Sequence, residues 1–277
     1  MSSSSNINSI AFNVAGSAVL VIVVGYMIMS YLTTPAVVAC TQRYQAGQQF
    51  TLNDLDGGPL SPIELQGRTG TREWGLLKNA KVLGSKASSN LEISLASTED
   101  EDHASQNGVG FVWPVRELGK ATAACLSYGT FLPSGFAFKE PGFLPGLYSA
   151  ADLAQIDDPQ PEDSFAVRMG WATGGDVGID VRTPTHTGYW EGATHKKLWP
   201  VGRWVKVEQE VILNETGKSN GALRVWIDGA LTINKSGVPL RNSVRPGLSG
   251  VVADIGYARS LSDVAALKFS PFMVQWQ

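Results

Sequence analysis

Gly202 to Ile233 reads GRWVKVEQEVILNETGKSNGALRVWIDGALTI, and this stretch decides the fold. From Trp204 to Leu213 apolar and polar residues alternate, Val205, Val207 and Val211 sharing one parity, as a strand with one buried face requires. Ala222 to Ile227 repeats the pattern, with Leu223, Val225 and Ile227 on one face and Arg224 and Trp226 on the other. Asp228-Gly229 then separates it from Ala230 to Ile233. Two such residues between apolar runs predict a type I′ hairpin, because both central positions of that turn need positive φ.

Working outward, Leu91–Leu95, Gly110–Trp113, Ala124–Tyr128 and Ser164–Trp171 read as further short strands. In the last, Phe165, Val167, Met169 and Trp171 face one way and Arg168 the other. The stretches from Ser97 to His103 and from Ala150 to Asp163 read as connections, the second with one helical turn. Thirty Gly and 14 Pro spread through 277 residues suit an all-β chain with many turns. No repeat of 20 to 50 residues is visible, which disfavours propellers and solenoids. The expectation is a single two-sheet sandwich. A formal net charge of -3 argues against a nucleic-acid partner, which needs clustered Lys and Arg.

The N-terminus differs in kind. The first charged side chain is Arg43, and Ile10 to Leu32 reads IAFNVAGSAVLVIVVGYMIMSYL, long enough to span a bilayer, which takes about 20 apolar residues. Tyr26 and Tyr31 suit the headgroup boundary, and Pro35 lies where the helix would stop. The expected organisation is a tail over 1–9, a transmembrane anchor helix over 10–34, a linker and start of the soluble domain over 35–70, and a β-sandwich over 71–277. Val37-Val38-Ala39-Cys40 offers a lipidation box as the rival reading, against which MSSSSNIN lacks the usual positive charge. The side of the membrane is not encoded in the flanking charges.

Cys40 and Cys125 are able to pair in an oxidising compartment, but Cys125 in ATAACLSY reads as a small buried hydrophobe. His103, His186 and His195 are scattered, no CxxC exists, and no metal or cofactor is expected. The acidic run Glu99 to Asp102 lacks the spaced ligands of a calcium loop, and Thr173-Gly174-Gly175-Asp176 lacks the lysine and helix of a phosphate loop. Sequons at Asn214 and Asn234 are too common to carry an argument. The polar face of the strands supplies Arg168, Lys206, Glu208, Arg224 and Trp226 as candidate glycan-binding residues. Aromatic rings stack on the C–H face of a sugar, while the charged groups meet its hydroxyls or carboxylate.

The order of LSYGTFLPSGFAF, GFLPGLY, SFAVRMGWATGG and the stretch quoted first resembles polysaccharide lyase family 14, the alginate and glucuronan lyases, from about Ala123 to Ile233. The resemblance implies a jelly-roll β-sandwich of the concanavalin-like kind. It also implies β-elimination on a uronate, in which the carboxylate is neutralised, the C5 proton removed and the 4-O leaving group protonated. The family's lysine-bearing segment, of the type KGGKLPGL, corresponds to Glu140–Leu147, so Glu140 and Phe143 replace both lysines, and Lys139 is one residue out of register. Where a Tyr-x-Tyr pair is common in the family, Gly178-Ile179-Asp180-Val181 stands. Arg168 and Arg182 for the carboxylate, with Tyr148, His186 and Tyr189 for proton transfer, are the catalytic candidates left.

Three expectations follow. The first is a membrane-anchored jelly roll facing the periplasm or the exterior that binds acidic polysaccharide without cleaving it. The second is a structural or accessory subunit that joins a membrane or filament assembly through small residues of the anchor such as Ala15, Gly16, Ala18 and Gly25. The third is an active polyuronate lyase with a rearranged site.

Overall fold

A computed structural model describes residues 20–25, 37–85, 88–95, 107–150, 164–184, 186–244, 247–259 and 265–277, with only the backbone at 186, 187 and 189. The chain divides into two units, Met1–Val38 and Ala39–Gln277. In the first, residues 20–25 are helical, and the rest of the anchor expected over 10–34 lies outside the described residues. Among the described residues no helix is long and apolar enough to cross a membrane. The acidic run 99–102 and the connection 151–163 also lie outside them.

The second unit is an all-β sandwich of two antiparallel sheets. Its strands are β1 (Ala46–Phe50), β2 (Glu73–Trp74), β3 (Ala80–Leu83), β4 (Asn90–Ser94), β5 (Val109–Pro114), β6 (Ala123–Leu132), β7 (Gly142–Ala150) and β8 (Ser164–Trp171). They continue with β9 (Val177–Thr183), β10 (His186–Gly192), β11 (Arg203–Ile212), β12 (Gly221–Ile227), β13 (Ala230–Val238), β14 (Gly250–Tyr257), β15 (Ala266–Phe269) and β16 (Phe272–Trp276). One sheet has the order β10-β9-β8-β7-β14-β5-β2. The other runs β13-β12-β11-β6-β15-β4-β3, with β16 also paired to β6 and β1 added outside β16.

Parity within each strand builds the core. Phe165, Val167, Met169 and Trp171 of β8 meet Val205, Val207 and Val211 of β11 and Leu223, Val225 and Ile227 of β12 in one buried cluster. Gln209 also faces inward, where its amide nitrogen donates to the Val167 carbonyl at 3.1 Å across the interlayer, while its amide oxygen finds no partner among the described residues. The β12–β13 hairpin turns at Asp228 (φ 52°) and Gly229 (φ 77°), the conformation that the dipeptide predicts.

The sandwich begins earlier than residue 71. Phe50, Leu52, Leu60 and Leu65 belong to its core, so within 35–70, expected as a linker and the start of the soluble domain, the sandwich is already under way at β1. Its short helix, Pro62–Gly67, is closed by a capping box in which Ser61 and Glu64 satisfy each other's backbone N–H. Turn-rich composition concealed this, because four separated apolar residues carry no strand period.

Candidate functional site on the seven-stranded sheet

The outer face of the seven-stranded sheet is assembled from residues of opposite parity to the core. On β8 these are Ala166, Arg168 and Gly170. Arg168 is paired in register with Asp180 of β9 on one side and Gly146 of β7 on the other. Gly146 offers no side chain, and at the bulge in β7 its α-carbon lies so near the Val167 carbonyl that any Cβ would overlap it. Arg168 therefore crosses β7 unobstructed and reaches Asp254 of β14, Nη1 to Oδ2 at 2.7 Å. From the other side Arg72, in the turn before β2, reaches the same carboxylate at 2.8 and 3.3 Å.

Asp254 is thus clasped by two guanidinium groups. All three side chains are shielded, Arg168 most of all at 3% exposure. Around them lies a cavity of about 220 Å³ walled by Trp74, Phe143 and Tyr257. The Arg168 guanidinium stands over the Phe143 ring at 5.5 Å, and the Trp74 indole covers Gly110. Two guanidinium groups thus share one carboxylate in a shielded pocket, and guanidinium is the side chain suited to a planar carboxylate ligand.

Tyr148 of β7 is on the same face but sunk among Val112, Ala166 and Val252. Burial pushes its hydroxyl up to about 12, with the nearby Arg72 charge pulling in the opposite direction. Farther out, Arg182 lies 3.3 Å from Asp180 on β9, and Trp190 of β10 covers Gly178. The structure therefore brings Tyr148, Arg168 and Arg182 to one face. His186 and Tyr189 lie on β10, two strands from β8, with their side chains outside the described residues.

The proposed glycan-binding set is not one surface. Lys206, Glu208, Arg224 and Trp226 occupy the outer face of the nine-stranded sheet, on the opposite side of the sandwich from Arg168. Parity separates inward from outward but not one outer face from the other. Moreover, Glu208 and Trp226 are buried beneath the segment Cys40–Tyr44. Thr41 donates to Glu208, while Arg43 at 2.5 Å, Arg224 at 2.8 Å and the Tyr44 hydroxyl all converge on Glu210. The Arg43 guanidinium lies 5.9 Å from the Trp226 ring centre. Burial and the hydrogen bond to Glu210 both raise the Tyr44 hydroxyl far above its ordinary value.

Cys40 and Cys125 hold this segment down as a disulfide. Cys125 is fully buried, as its surroundings predict, but it is a bridge anchor rather than a free apolar side chain. The lipidation reading fails in this geometry, since the Cys40 sulfur is already bonded. Glu208 lies within 4.8 Å of both sulfurs, yet the bond between them consumes both thiols as metal ligands.

Arg72, Trp74 and Asp254 were not among the residues singled out from sequence. Asp254 was legible, as the one charged group in the otherwise apolar β14 strand GVVADIGY. Arg72 was not, because it lies in a turn and joins the site only through tertiary packing.

The family profile described as polysaccharide lyase 14 matches residues 85–266. The chain belongs to polysaccharide lyase family 14. Among solved structures, it is similar to the alginate lyase of Aplysia kurodai, with TM-score 0.66, 18% identity, and coverage of 80% of this chain and 97% of that one. It is also similar to an alginate lyase from Chlorella virus, with TM-score 0.65, 13% identity, and coverage of 83% and 100%. An endo-β-1,4-glucuronan lyase from the fungus Trichoderma reesei gives TM-score 0.52 at 10% identity, with coverage of 84% and 96%. A search of curated protein sequences finds no match. These likenesses establish the jelly-roll fold of this family 14 chain.

Proposed function

We propose that this family 14 protein binds an acidic polysaccharide on the outer face of its seven-stranded sheet and does not cleave it. The observation that carries the reading is the convergence of Arg72 and Arg168 on Asp254 in a pocket walled by Trp74, Phe143 and Tyr257. A uronate offers the matching pair, a carboxylate for the guanidinium groups and an apolar ring face for Phe143 or Trp74. The lyases of known structure named above, which their descriptions link to alginate or glucuronan, support that ligand class.

The lack of elimination is argued from what stands at the reacting positions. The outward side chains of β9 next to Arg168 are none at Gly178 and a carboxylate at Asp180, so the position of a tyrosine pair holds no phenol. Phe143 stands where a lysine is expected, covering Arg168 instead of offering an ammonium. Tyr148 is buried and held protonated, which unsuits it to remove a proton at neutral pH.

The same reading places the sandwich outside the cytoplasm on a single-pass anchor over residues 10–34. The apolar run supports the anchor, and the Cys40–Cys125 bridge supports an oxidising compartment.

The test incubates the full chain with alginate, glucuronan and other uronans, recording binding by calorimetry and near-UV absorbance of unsaturated products together. Binding without product is the expected result, weakened by Arg72→Ala and by added salt. Product formation overturns it in favour of an active lyase with a rearranged site. Neither signal moves the role to an accessory subunit of a membrane assembly.

A further inference from the structure

The outer face of the nine-stranded sheet carries a second groove, on the side of the sandwich away from Asp254. It has a volume of about 690 Å³ and is bordered by the residues after β1, the start of β4, Trp204 of β11 and the Ser270-Pro271 corner between β15 and β16. None of its lining residues is charged.

Trp204 has outward parity on β11 and is 46% exposed. One side of its ring is seated, tilted against Phe131 at 5.8 Å and lying across Gly129, where a methyl group would meet it at 3.3 Å. Phe131 and Gly129 thus hold the indole against the sheet and leave its remaining surface as a platform.

The polar groups around this ring are pre-positioned. The Asn53 side-chain amide donates to the carbonyls of Gly57 and Gly58 at 3.1 and 3.3 Å and to Ser89 Oγ at 2.8 Å, which fixes its plane and keeps its oxygen as an acceptor. Ser270 Oγ accepts the Gly129 N–H at 2.7 Å. Asn90 Oδ1 is buried with no hydrogen-bond partner among the described residues. Such an orphan calls for a donor that the described residues do not supply.

We propose that this groove binds an uncharged polysaccharide, a chain of neutral hexopyranose units. An indole stacks on the C–H face of a pyranose, and amides and hydroxyls pair with ring hydroxyls. The adjoining Arg68 guanidinium is engaged with the carbonyls of Thr51 and Asn53, so a uronate or sulfate ester would find no charged group in the lining itself, and its desolvation would oppose binding. This site does not depend on the acidic-glycan reading of the opposite face.

The experiment is affinity electrophoresis of the full chain through gels containing a soluble β-glucan, a galactomannan or no polymer, with the wild type, Trp204→Ala and Trp204→Phe. Retardation by at least one neutral polymer is expected. Trp204→Ala should weaken it about tenfold, whereas Trp204→Phe keeps most of it because a ring remains. Unchanged thermal midpoints establish that both variants are folded. The proposal fails if no neutral polymer retards the chain, or if Trp204→Ala is retarded like the wild type.

Discussion

Arg168 on β8 and Asp254 on β14 meet at 2.7 Å with an entire strand, β7, between them. The reach is possible because β7 contributes Gly146 at the crossing point, and the shared carboxylate also takes Arg72 from the opposite side. Asp254→Ala removes a carboxylate bonded to both guanidinium groups, one of them on the deeply buried Arg168, so it should cost about 3 kcal/mol of unfolding free energy. Arg72→Ala keeps the inner pair and should cost about 1.5 kcal/mol. Urea unfolding of both variants checks the order, and an equal loss would mean that the two guanidinium groups are not ranked by burial.

The disulfide closes a loop with a sequence separation of 85 residues. In the chain-entropy account its removal costs about 4.6 kcal/mol. Cys125→Ala, or reduction of the wild type, should therefore lower the thermal midpoint strongly. Release of the Cys40–Tyr44 segment should also open Trp226, which is read as increased quenching of tryptophan fluorescence by acrylamide. A lower midpoint without added quenching would show that the carboxylate contacts of Thr41, Arg43 and Tyr44 hold the segment by themselves.

Tyr148 gives a prediction at high pH. Its folded-state value, pushed to about 12 by burial, exceeds the ordinary value of 10.0. Between these values the folded chain keeps a proton that the unfolded chain releases, so stability is intact below about pH 10 and falls as pH rises toward 12. The full slope for one such group is about 1.4 kcal/mol per pH unit. Tyr148→Phe should flatten the decline in unfolding free energy measured from pH 9 to 11, and an unchanged slope would assign it to other tyrosines such as Tyr128, also raised by burial.

Asp228 occupies the first position of the β12–β13 turn with positive φ, and its carboxylate accepts the Lys206 N–H at 2.9 Å and Arg203 at 2.8 Å. Burial alone would raise this carboxyl, but those bonds outweigh it and hold the group below the ordinary carboxylate range. Asp228→Ala loses both the bonds and a residue type that tolerates this conformation, for a cost of about 1 to 2 kcal/mol. Asp228→Asn keeps the tolerance and should cost less than Asp228→Ala. The contribution of the charge is present above the unfolded carboxyl value and fades as pH falls through the lower folded one. Thermal midpoints at neutral and acidic pH test both statements.

Local pattern determined much of this protein. Alternation at period two marked β8, β11 and β12 and sorted their residues inward or outward, and Asp228-Gly229 located the hairpin, because parity and turn chemistry are properties of a few adjacent residues. The motif order from Ala123 to Ile233 pointed to the family. Tertiary structure alone decided which outward residues share a surface. Arg168 and Arg224 have the same outward parity in their own strands, yet a full sandwich lies between their faces, since pairing across sheets depends on contacts far apart in the chain. For the same reason the Cys40–Cys125 bridge, the burial of Trp226 beneath it and the union of Arg72 with Asp254 follow from packing between distant segments, which no local period encodes.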